Sequence, residues 1–324
     1  MRNTDGERMR ENGLTVTKGT GLTVEAPEIS ADLYGRFVAY LDVAPKTTET
    51  YTKALRQLAG YLSSNGIRRP EREDLLAFRD DLKASGHKPA TISAYMTAAR
   101  LFFSWTEQEG IYPNIAQRLK GAKLDKGHKR DYLTAGQVRE ILGSIDRDSL
   151  HGLRDYAILA LMVTGALRTI EVSRANIGDL RAAGDNVVLW IQGKGRGEKN
   201  EYVKIKPPTE KALRAYLKER GDAAEDLPLF TSLSNNSKGG RLSTRAISGI
   251  IKERFRAAGY NSERLTAHSL RHTAVTLALL QGIPLEEVQQ FARHANLQTT
   301  LIYSHALEAA RNRCAEVITE SIFT

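Results

Sequence analysis

Apolar residues recur at helical spacing along the first third of the chain. In residues 46–66, Tyr51, Leu55, Leu58 and Leu62 share one helix face, after a threonine-rich start and before Gly66. Residues 29–42, 71–86 and 88–110 repeat this spacing with other apolar side chains. The pattern therefore predicts a small bundle of about four helices over residues 29–110.

The pattern changes after residue 130. Thr134 is placed to cap a helix, and residues 152–168 are apolar nearly all round, which predicts a buried central helix. Residues 186–192 and 201–206 are rich in strand-forming residues and flank the glycine-rich segment 193–200, which predicts a β-hairpin. Amphipathic helices follow over residues 207–221, 243–259, 266–282 and 284–294. The predicted fold class is mainly α with one small antiparallel β-sheet.

Shifts in composition divide the chain into segments. Residues 1–26 are rich in glycine, threonine and charge without any period, and predict a flexible N-terminal tail. We expect a helical domain over residues 27–117 and a second domain over residues 131–306. Between them, residues 118–130 hold six Lys or Arg against one Asp, which fits a solvated linker or a basic strap along a phosphate backbone. Residues 307–324 predict a C-terminal helix.

Charge and cysteine content narrow the function. Lys and Arg outnumber Asp and Glu by 47 to 38, and this balance favours a polyanionic partner such as nucleic acid. Apolar residues make up 41% of the chain, which argues against wholesale disorder. The single cysteine, Cys314, excludes an internal disulfide and a cysteine-based zinc site. With no signal-peptide pattern and no long apolar span, we expect a cytoplasmic protein without a membrane partner.

Several residues could carry chemistry, although each has an ordinary reading by itself. Arg168 could be an ion-paired surface arginine, Lys194 a solvated lysine in a glycine-rich turn, and Tyr303 a tyrosine at the edge of a core. His268 and His272 stand four apart on a predicted helix, but the H-E-x-x-H carboxylate is missing, so we expect no metal. The glycine-rich turn at residues 193–200 lacks the spacing of a phosphate-binding P-loop. The G-x-S-x-G motif of serine hydrolases is also missing from the sequence.

The order of these residues is more informative than any one of them. Arg168 lies in TGALRTIE, Lys194 in GKGRGEK, His268 and Arg271 in HSLRH, His294 in ARHAN, and Tyr303 nine residues later. This arrangement resembles the tyrosine recombinase, or phage integrase, family over about residues 29–324. As a whole, the sequence is similar to compact integrases of bacterial mobile elements and to Xer-type recombinases. The resemblance implies a helical, SAM-like core-binding domain that closes on DNA, followed by a catalytic domain.

The resemblance also implies a role for each residue. Arg168 and Arg271 would bind the scissile phosphate, and Tyr303 would attack it to form a 3′-phosphotyrosine. Lys194 would protonate the leaving 5′-oxygen, His268 would assist proton transfer, and His294 would hydrogen-bond a phosphate oxygen. Glu171 would orient Arg168 or His268. No metal, ATP or other cofactor is expected. The candidate DNA-contacting residues are Lys120, Lys123, Lys126, Lys129, Arg130 and Arg196.

The implied partners are double-stranded recombination sites and further copies of the chain. Strand exchange through a Holliday junction implies a synaptic tetramer on two duplexes, and an accessory directionality factor is a further candidate partner. An apolar stripe in the C-terminal segment would dock on a neighbouring protomer or on its own domain: Leu307, Ala310, Cys314, Val317 and Phe323. Two alternative functions remain, a catalytically silent DNA-binding regulator and a type IB topoisomerase-like enzyme.

Two local features near the last histidine lead to structural predictions. Where many relatives have a glycine before the last histidine, this chain has Arg293, so the backbone there must manage without glycine. The polar segment between His294 and Tyr303 predicts a loop that would tether the nucleophile while His294 stays at the phosphate.

Overall fold

The computed structural model of the chain describes residues 29, 31–123, 131–193, 195, 197–221, 224–303 and 314–323. The chain forms two compact units, Met1–Lys126 and Gly127–Thr324. Within the described residues the structure is mostly helical with a three-stranded antiparallel sheet, so the predicted fold class is confirmed. The exact domain bounds drawn from composition stay predictions.

The first unit contains the four helices that the apolar spacing predicts. They are α1 (Ala31–Tyr40), α2 (Pro45–Ser64), α3 (Arg72–Ala84) and α4 (Pro89–Gln108). Proline opens α2 and α4, where its missing N–H leaves no hydrogen bond unmade. At the start of α3, the backbone amide of Glu71 donates to Oδ2 of Asp74 at 2.7 Å.

Aromatic packing fills the core of this bundle. Phe102 of α4 is fully buried, stacks on Tyr34 with ring centroids 4.9 Å apart, and meets Phe37 edge-on at 5.5 Å. Leu55, Leu58 and Leu62 of α2 are buried with it, as their spacing predicts, and α2 packs along α4.

Residues 118–123, the beginning of the predicted basic linker, pack back on the bundle. Leu119 is buried and its carbonyl accepts a hydrogen bond from Nη1 of Arg100 at 3.2 Å. The hydroxyl of Ser93 donates to the carbonyl of Ala122 at 3.0 Å. A side chain at Gly121 would meet Oγ of Ser93 at 2.7 Å, so glycine permits this close approach.

The second unit contains most of the helices in the described part of the chain. They are α5 (Ala135–Gly143), α6 (Leu150–Thr164), α7 (Thr169–Arg174), α8 (Pro207–Arg220), α9 (Thr244–Ala257), α10 (Ala267–Leu280), α11 (Leu285–Ala292), α12 (residues 297–303) and α13 (Cys314–Phe323). Thr134 caps α5 by accepting from the amide of Gln137, as predicted. The predicted central helix is α6, whose residues from Ala157 to Val163 are all buried and which packs against α8 and α10.

The sheet of the second unit is a three-stranded meander of β1 (Leu180–Ala183), β2 (Asn186–Ile191) and β3 (Glu201–Ile205), in the order β1-β2-β3. Strands β2 and β3 form the predicted hairpin, with Leu189 opposite Val203. Strand β1 was not predicted, because its four residues are mostly exposed and show no alternation of apolar and polar positions.

None of the helices in the described residues has the length and apolar character needed to cross a membrane. On α13, Val317 and Phe323 of the predicted apolar stripe are exposed, as is Cys314. Leu307 and Ala310 of that stripe lie outside the described residues.

The helical unit gives a matched test of its core. Leu58→Ala removes a side chain that is 1% exposed, whereas Leu101→Ala removes one that is 41% exposed. We expect Leu58→Ala to lower the free energy of unfolding by about 2–5 kcal/mol and Leu101→Ala to change it by no more than about 0.5 kcal/mol. The chain has two tryptophans, so urea unfolding followed by Trp105 fluorescence in a Trp190→Phe background reports this unit. Equal losses in the two variants would contradict the assigned core.

Candidate active site

Five of the six predicted catalytic residues lie in the described part of the second unit: Arg168, His268, Arg271, His294 and Tyr303. Arg168 immediately precedes α7, and α10 carries His268 and Arg271. His294 follows α11, and Tyr303 is the last described residue of α12. The sixth residue, Lys194, lies outside the described residues.

The carboxylate of Glu171 is fully buried and binds two arginines. Its Oε1 accepts from Nη1 of Arg168 at 2.8 Å, and its Oε2 accepts from the backbone amide of Arg168 at 2.8 Å. Oε2 also accepts from Nη2 of Arg293 at 3.1 Å. Burial acts to raise the pKa of Glu171, but the charges of Arg293 and Arg168 outweigh it and hold the pKa below its ordinary value. Of the two partners that the sequence left open, Arg168 is bound directly.

Arg271 is the most deeply buried cation of the site, at 1% exposure. Its Nη1 donates to the carbonyl of Ala166 at 2.5 Å, and its Nη2 donates to the carbonyl of Ala292. Burial, followed by the charges of Arg168 and Arg293, lowers the pKa of Arg271 to about 9. Since this value is well above neutral pH, the guanidinium stays charged in an environment where its field is weakly screened.

Arg293 completes what we call the arginine cluster, Arg168, Arg271 and Arg293. Its backbone adopts the left-handed conformation, with φ 54° and ψ 48°, so the chain here does manage the glycine-like geometry without glycine. Its Nη2 donates to the carbonyl of Ala166 at 2.9 Å, in addition to Glu171. The sequence identified Arg293 only as a departure from the family pattern, because its partners lie more than 120 residues away.

His294 is buried and uncharged at neutral pH. Burial lowers its pKa, and the charges of Arg271, Arg168 and His268 lower it further, to about 4. Its Nδ1 lies 2.9 Å from Oγ1 of Thr300, which holds the ring relative to α12. Arg168, His268 and Arg271 therefore lie close enough to His294 for their charges to lower its pKa.

Tyr303 is 7% exposed and packs against Val275, Val288 and Ala292. Its ring stacks on that of His294, with centroids 6.1 Å apart and an angle of 21° between planes. The prediction of a tethering loop is wrong for residues 297–303, which are helical. The polar run of Gln298, Thr299 and Thr300 suggested a loop, although Thr300 is buried in the helix.

His272 is a contact of Tyr303 that the sequence analysis did not identify. Its ring centroid lies 4.5 Å from that of Tyr303, and its other neighbour is Tyr132, whose ring is 5.9 Å away and nearly parallel at 13°. From the sequence, His272 was weighed only as a possible metal ligand together with His268. Its place next to Arg271 was a signal that the residue lies close to the site.

An open cleft of about 570 Å³ borders the predicted catalytic groups. Its walls include Arg168, His268 and Lys252, together with apolar side chains such as Leu265. His268 itself is exposed. The arginine and the histidine therefore face a space that can admit a charged group from solvent.

The candidate DNA-contacting residues are placed only in part. Lys120 and Lys123 are exposed in the first unit. The others lie outside the described residues: Lys126, Lys129, Arg130 and Arg196. Among the residues that the structure describes, no three His, Cys, Asp or Glu side chains are grouped to hold a metal ion.

The chain matches two family models. Residues 131–310 match the Phage integrase family, and residues 35–110 match the Phage integrase, N-terminal SAM-like domain. The first match alone spans more than half of the 324 residues.

Curated relatives align with most of the chain. A tyrosine recombinase of Synechococcus elongatus is 30% identical over 243 residues, which are 75% of this chain and 75% of the relative. Tyrosine recombinase XerD of Caulobacter vibrioides is 30% identical over 292 residues, which are 86% of this chain and 92% of the relative.

The fold is similar to that of a solved recombinase. The XerH site-specific recombinase, in a post-cleavage complex with its palindromic difH substrate, has a TM-score of 0.68 at 24% identity, covering 83% of this chain and 80% of that one. At this identity the likeness shows the fold, whereas the family models and the relatives show the family. This chain therefore belongs to the phage integrase family and is a tyrosine-type site-specific recombinase.

Proposed function

We propose that this recombinase cuts and rejoins DNA through a covalent bond between Tyr303 and a 3′-phosphate. The observation that carries the proposal is a buried tyrosine that packs against His294 and interacts electrostatically with Arg271. A tyrosine has an ordinary pKa of about 10, so it attacks well only where cations stabilise its phenolate. The arginine cluster supplies that positive charge.

The proposed reaction exchanges one phosphodiester for another. The phenol oxygen of Tyr303 bonds to phosphorus while the bond to the 5′-oxygen breaks, and Lys194 protonates that leaving oxygen. A 5′-hydroxyl of a second strand then attacks the phosphotyrosine and releases the tyrosine. The phosphodiester energy is retained in the intermediate, so the reaction needs neither ATP nor a metal. Two such exchanges would proceed through a Holliday junction.

The two arginines have different surroundings and so different proposed parts in phosphate binding. Arg168 borders the open cleft, and Glu171 fixes its planar guanidinium, which suits bidentate contact with the non-bridging oxygens. Arg271 is shielded from solvent, so its charge acts at close range on the phosphate and on Tyr303.

The two histidines are proposed to act in different ways. His268 is exposed at the cleft, where it can carry a proton to or from the reacting tyrosine. His294 is neutral, and when the hydroxyl of Thr300 donates to Nδ1, its Nε2 carries the proton. That N–H can then donate to a phosphate oxygen.

Double-stranded recombination sites are the proposed substrate, and several copies of the chain would act together. The net charge of +9 and the basic residues 118–130 favour contact with the DNA backbone. For the proposed tetramer on two duplexes, support comes from α13, whose exposed Val317 and Phe323 offer an apolar face to a neighbouring protomer. We extend the proposal to action in the cytoplasm, with a directionality factor as a further partner.

The nucleophile is tested by Tyr303→Phe, which keeps the ring and removes the oxygen. We expect unchanged binding to a cognate duplex and complete loss of the covalent protein–DNA complex on a nicked suicide substrate, measured by denaturing electrophoresis. A covalent complex that persists in Tyr303→Phe would refute the assignment. Failure of the wild type to form one on a bound cognate site would favour a silent DNA-binding regulator. Relaxed plasmid without recombinants would favour a type IB topoisomerase-like enzyme.

The proposed general acid is tested by changing the leaving group. Lys194→Ala should slow first-turnover cleavage on the order of 10²–10⁴-fold. A duplex with sulfur in place of the 5′-bridging oxygen should restore the rate to within about tenfold, because a thiol has a pKa near 8.5 and leaves without a proton. Lys211→Ala, an exposed lysine of α8, is the matched control and should cleave both duplexes at the wild-type rate. No rescue by sulfur would remove Lys194 from this role.

The neutral state of His294 predicts a pH dependence of stability. Between pH 6.5 and about 4, the unfolded chain binds a proton on this histidine that the folded chain does not bind. The stability that the neutral residue contributes is therefore lost as the pH falls through this window. We expect urea unfolding, followed by Trp190 in a Trp105→Phe background, to depend less on pH in His294→Gln. Identical pH profiles with and without the substitution would contradict the depressed pKa.

A further inference from the structure

Three aromatic side chains from distant parts of the sequence form a stack beside the proposed nucleophile. His272 of α10 is 6% exposed and lies between Tyr132 and Tyr303. Its plane is 13° from that of Tyr132 and 51° from that of Tyr303. The imidazole thus separates a half-exposed tyrosine at the start of the catalytic unit from the buried one.

The outer tyrosine of this stack lies between two bonds, one to α10 and one to the residues that precede α10. The backbone amide of Leu133 donates to Oγ1 of Thr273 at 2.8 Å, and Leu133 itself is buried. The carboxylate of Asp131 pairs with Nε of Arg264 at 2.9 Å. Asp131 and Leu133 therefore hold the backbone on both sides of Tyr132, directly after the basic linker segment.

The inner face of the stack restricts the nucleophile. The ring of Tyr303 meets His272 at 4.5 Å and His294 at 6.1 Å, so an imidazole packs against it from each of two elements. A nucleophile displaced by about 1 Å can lose on the order of 100-fold in rate. Packing that fixes the rotamer of a reacting side chain is therefore a means of accelerating its attack.

We propose that His272 is a positioning residue for Tyr303 and that Tyr132 supports His272 from its outer face. The proposal rests on the proposed function, in which Tyr303 is the nucleophile. The contacts of His272 with the two tyrosines are between rings, whereas its Nδ1 lies 3.4 Å from Oγ1 of Thr276 within α10. The proposed effect on Tyr303 comes from the ring contact, which a phenylalanine would preserve. His272 thereby links the segment that enters the catalytic unit to the group that attacks the phosphate.

The experiment measures binding and attack separately in the full-length chain. The variants are His272→Ala, His272→Phe, Tyr132→Ala and Tyr132→Phe, with Tyr156→Ala as the matched control. Tyr156 is a partly buried tyrosine of the same unit that faces Arg147 at 4.9 Å. Affinity is measured by fluorescence anisotropy on a cognate duplex. The first-order rate of covalent complex formation is measured at saturating protein on the suicide duplex with a 5′-bridging sulfur, where the leaving group needs no acid.

The expected result is a loss in rate without a loss in binding. His272→Ala should slow attack on the order of 10- to 100-fold, and Tyr132→Ala should slow it by a smaller factor. Both phenylalanine variants should remain within about threefold of wild type, and Tyr156→Ala should match wild type. The 5′-bridging sulfur should not restore the rate of covalent complex formation in His272→Ala, because the defect lies in the attacking group and not in the leaving group.

Other outcomes separate the possible failures. A wild-type rate in His272→Ala would overturn the proposal, and a His272→Phe variant as slow as His272→Ala would replace positioning by a chemical role for the imidazole. If His272→Ala does not fold, the comparison of Tyr132→Ala with Tyr132→Phe decides, since Tyr132 is 40% exposed and tolerates truncation better. If Tyr303→Phe still forms the covalent complex, the proposed function fails, whatever the His272 variants do.

Discussion

The buried carboxylate of Glu171 is the interaction on which the site depends. Three guanidiniums converge near it, and cations placed this closely in a protein interior repel one another unless charge and hydrogen bonds compensate them. Glu171 binds Arg168 and Arg293 directly. Arg271 is compensated instead by the carbonyl dipoles of Ala166 and Ala292. Glu171 and the carbonyls of Ala166 and Ala292 thus allow three positive charges to lie close together. Such a cluster is suited to stabilising the negative charge of a phosphate under attack.

This compensation also explains the unusual backbone around the site. Ala166 has φ 48° and Arg293 has φ 54°, both in the left-handed region that residues other than glycine rarely adopt. The turn at Ala166 directs one carbonyl to both Arg271 and Arg293. The turn at Arg293 ends α11 and exposes its own carbonyl to Nη2 of Arg168 at 3.2 Å. Strain of this kind persists where surrounding bonds over-determine the conformation, and here the guanidiniums supply those bonds.

The features predicted from sequence were those that depend on local pattern. The four-helix bundle, the buried α6 and the β2–β3 hairpin each follow from periodicity within about twenty residues. Strand β1 was missed because it is short and exposed, and α12 because the polar run at its centre, Gln298 to Thr300, favoured a loop over a seven-residue helix. The same limit applies at the site. The order of the motifs indicated the candidate residues, but Arg293, His272 and Tyr132 contact partners far along the chain, and spacing cannot reveal such contacts.

The site therefore combines two kinds of support that differ in strength. The arginine cluster is fixed by charge-assisted and backbone hydrogen bonds, which are individually strong where solvent is excluded. Tyr303 stands on a separate short helix, where the rings of His272 and His294 and the side chain of Val275 pack against it. Because packing contacts are individually weak, small shifts of α12 or of α10 can change the position of the tyrosine while the charges stay in place. Under the proposed function, a change in the aromatic stack would therefore alter the attack by Tyr303 without altering the arginine cluster.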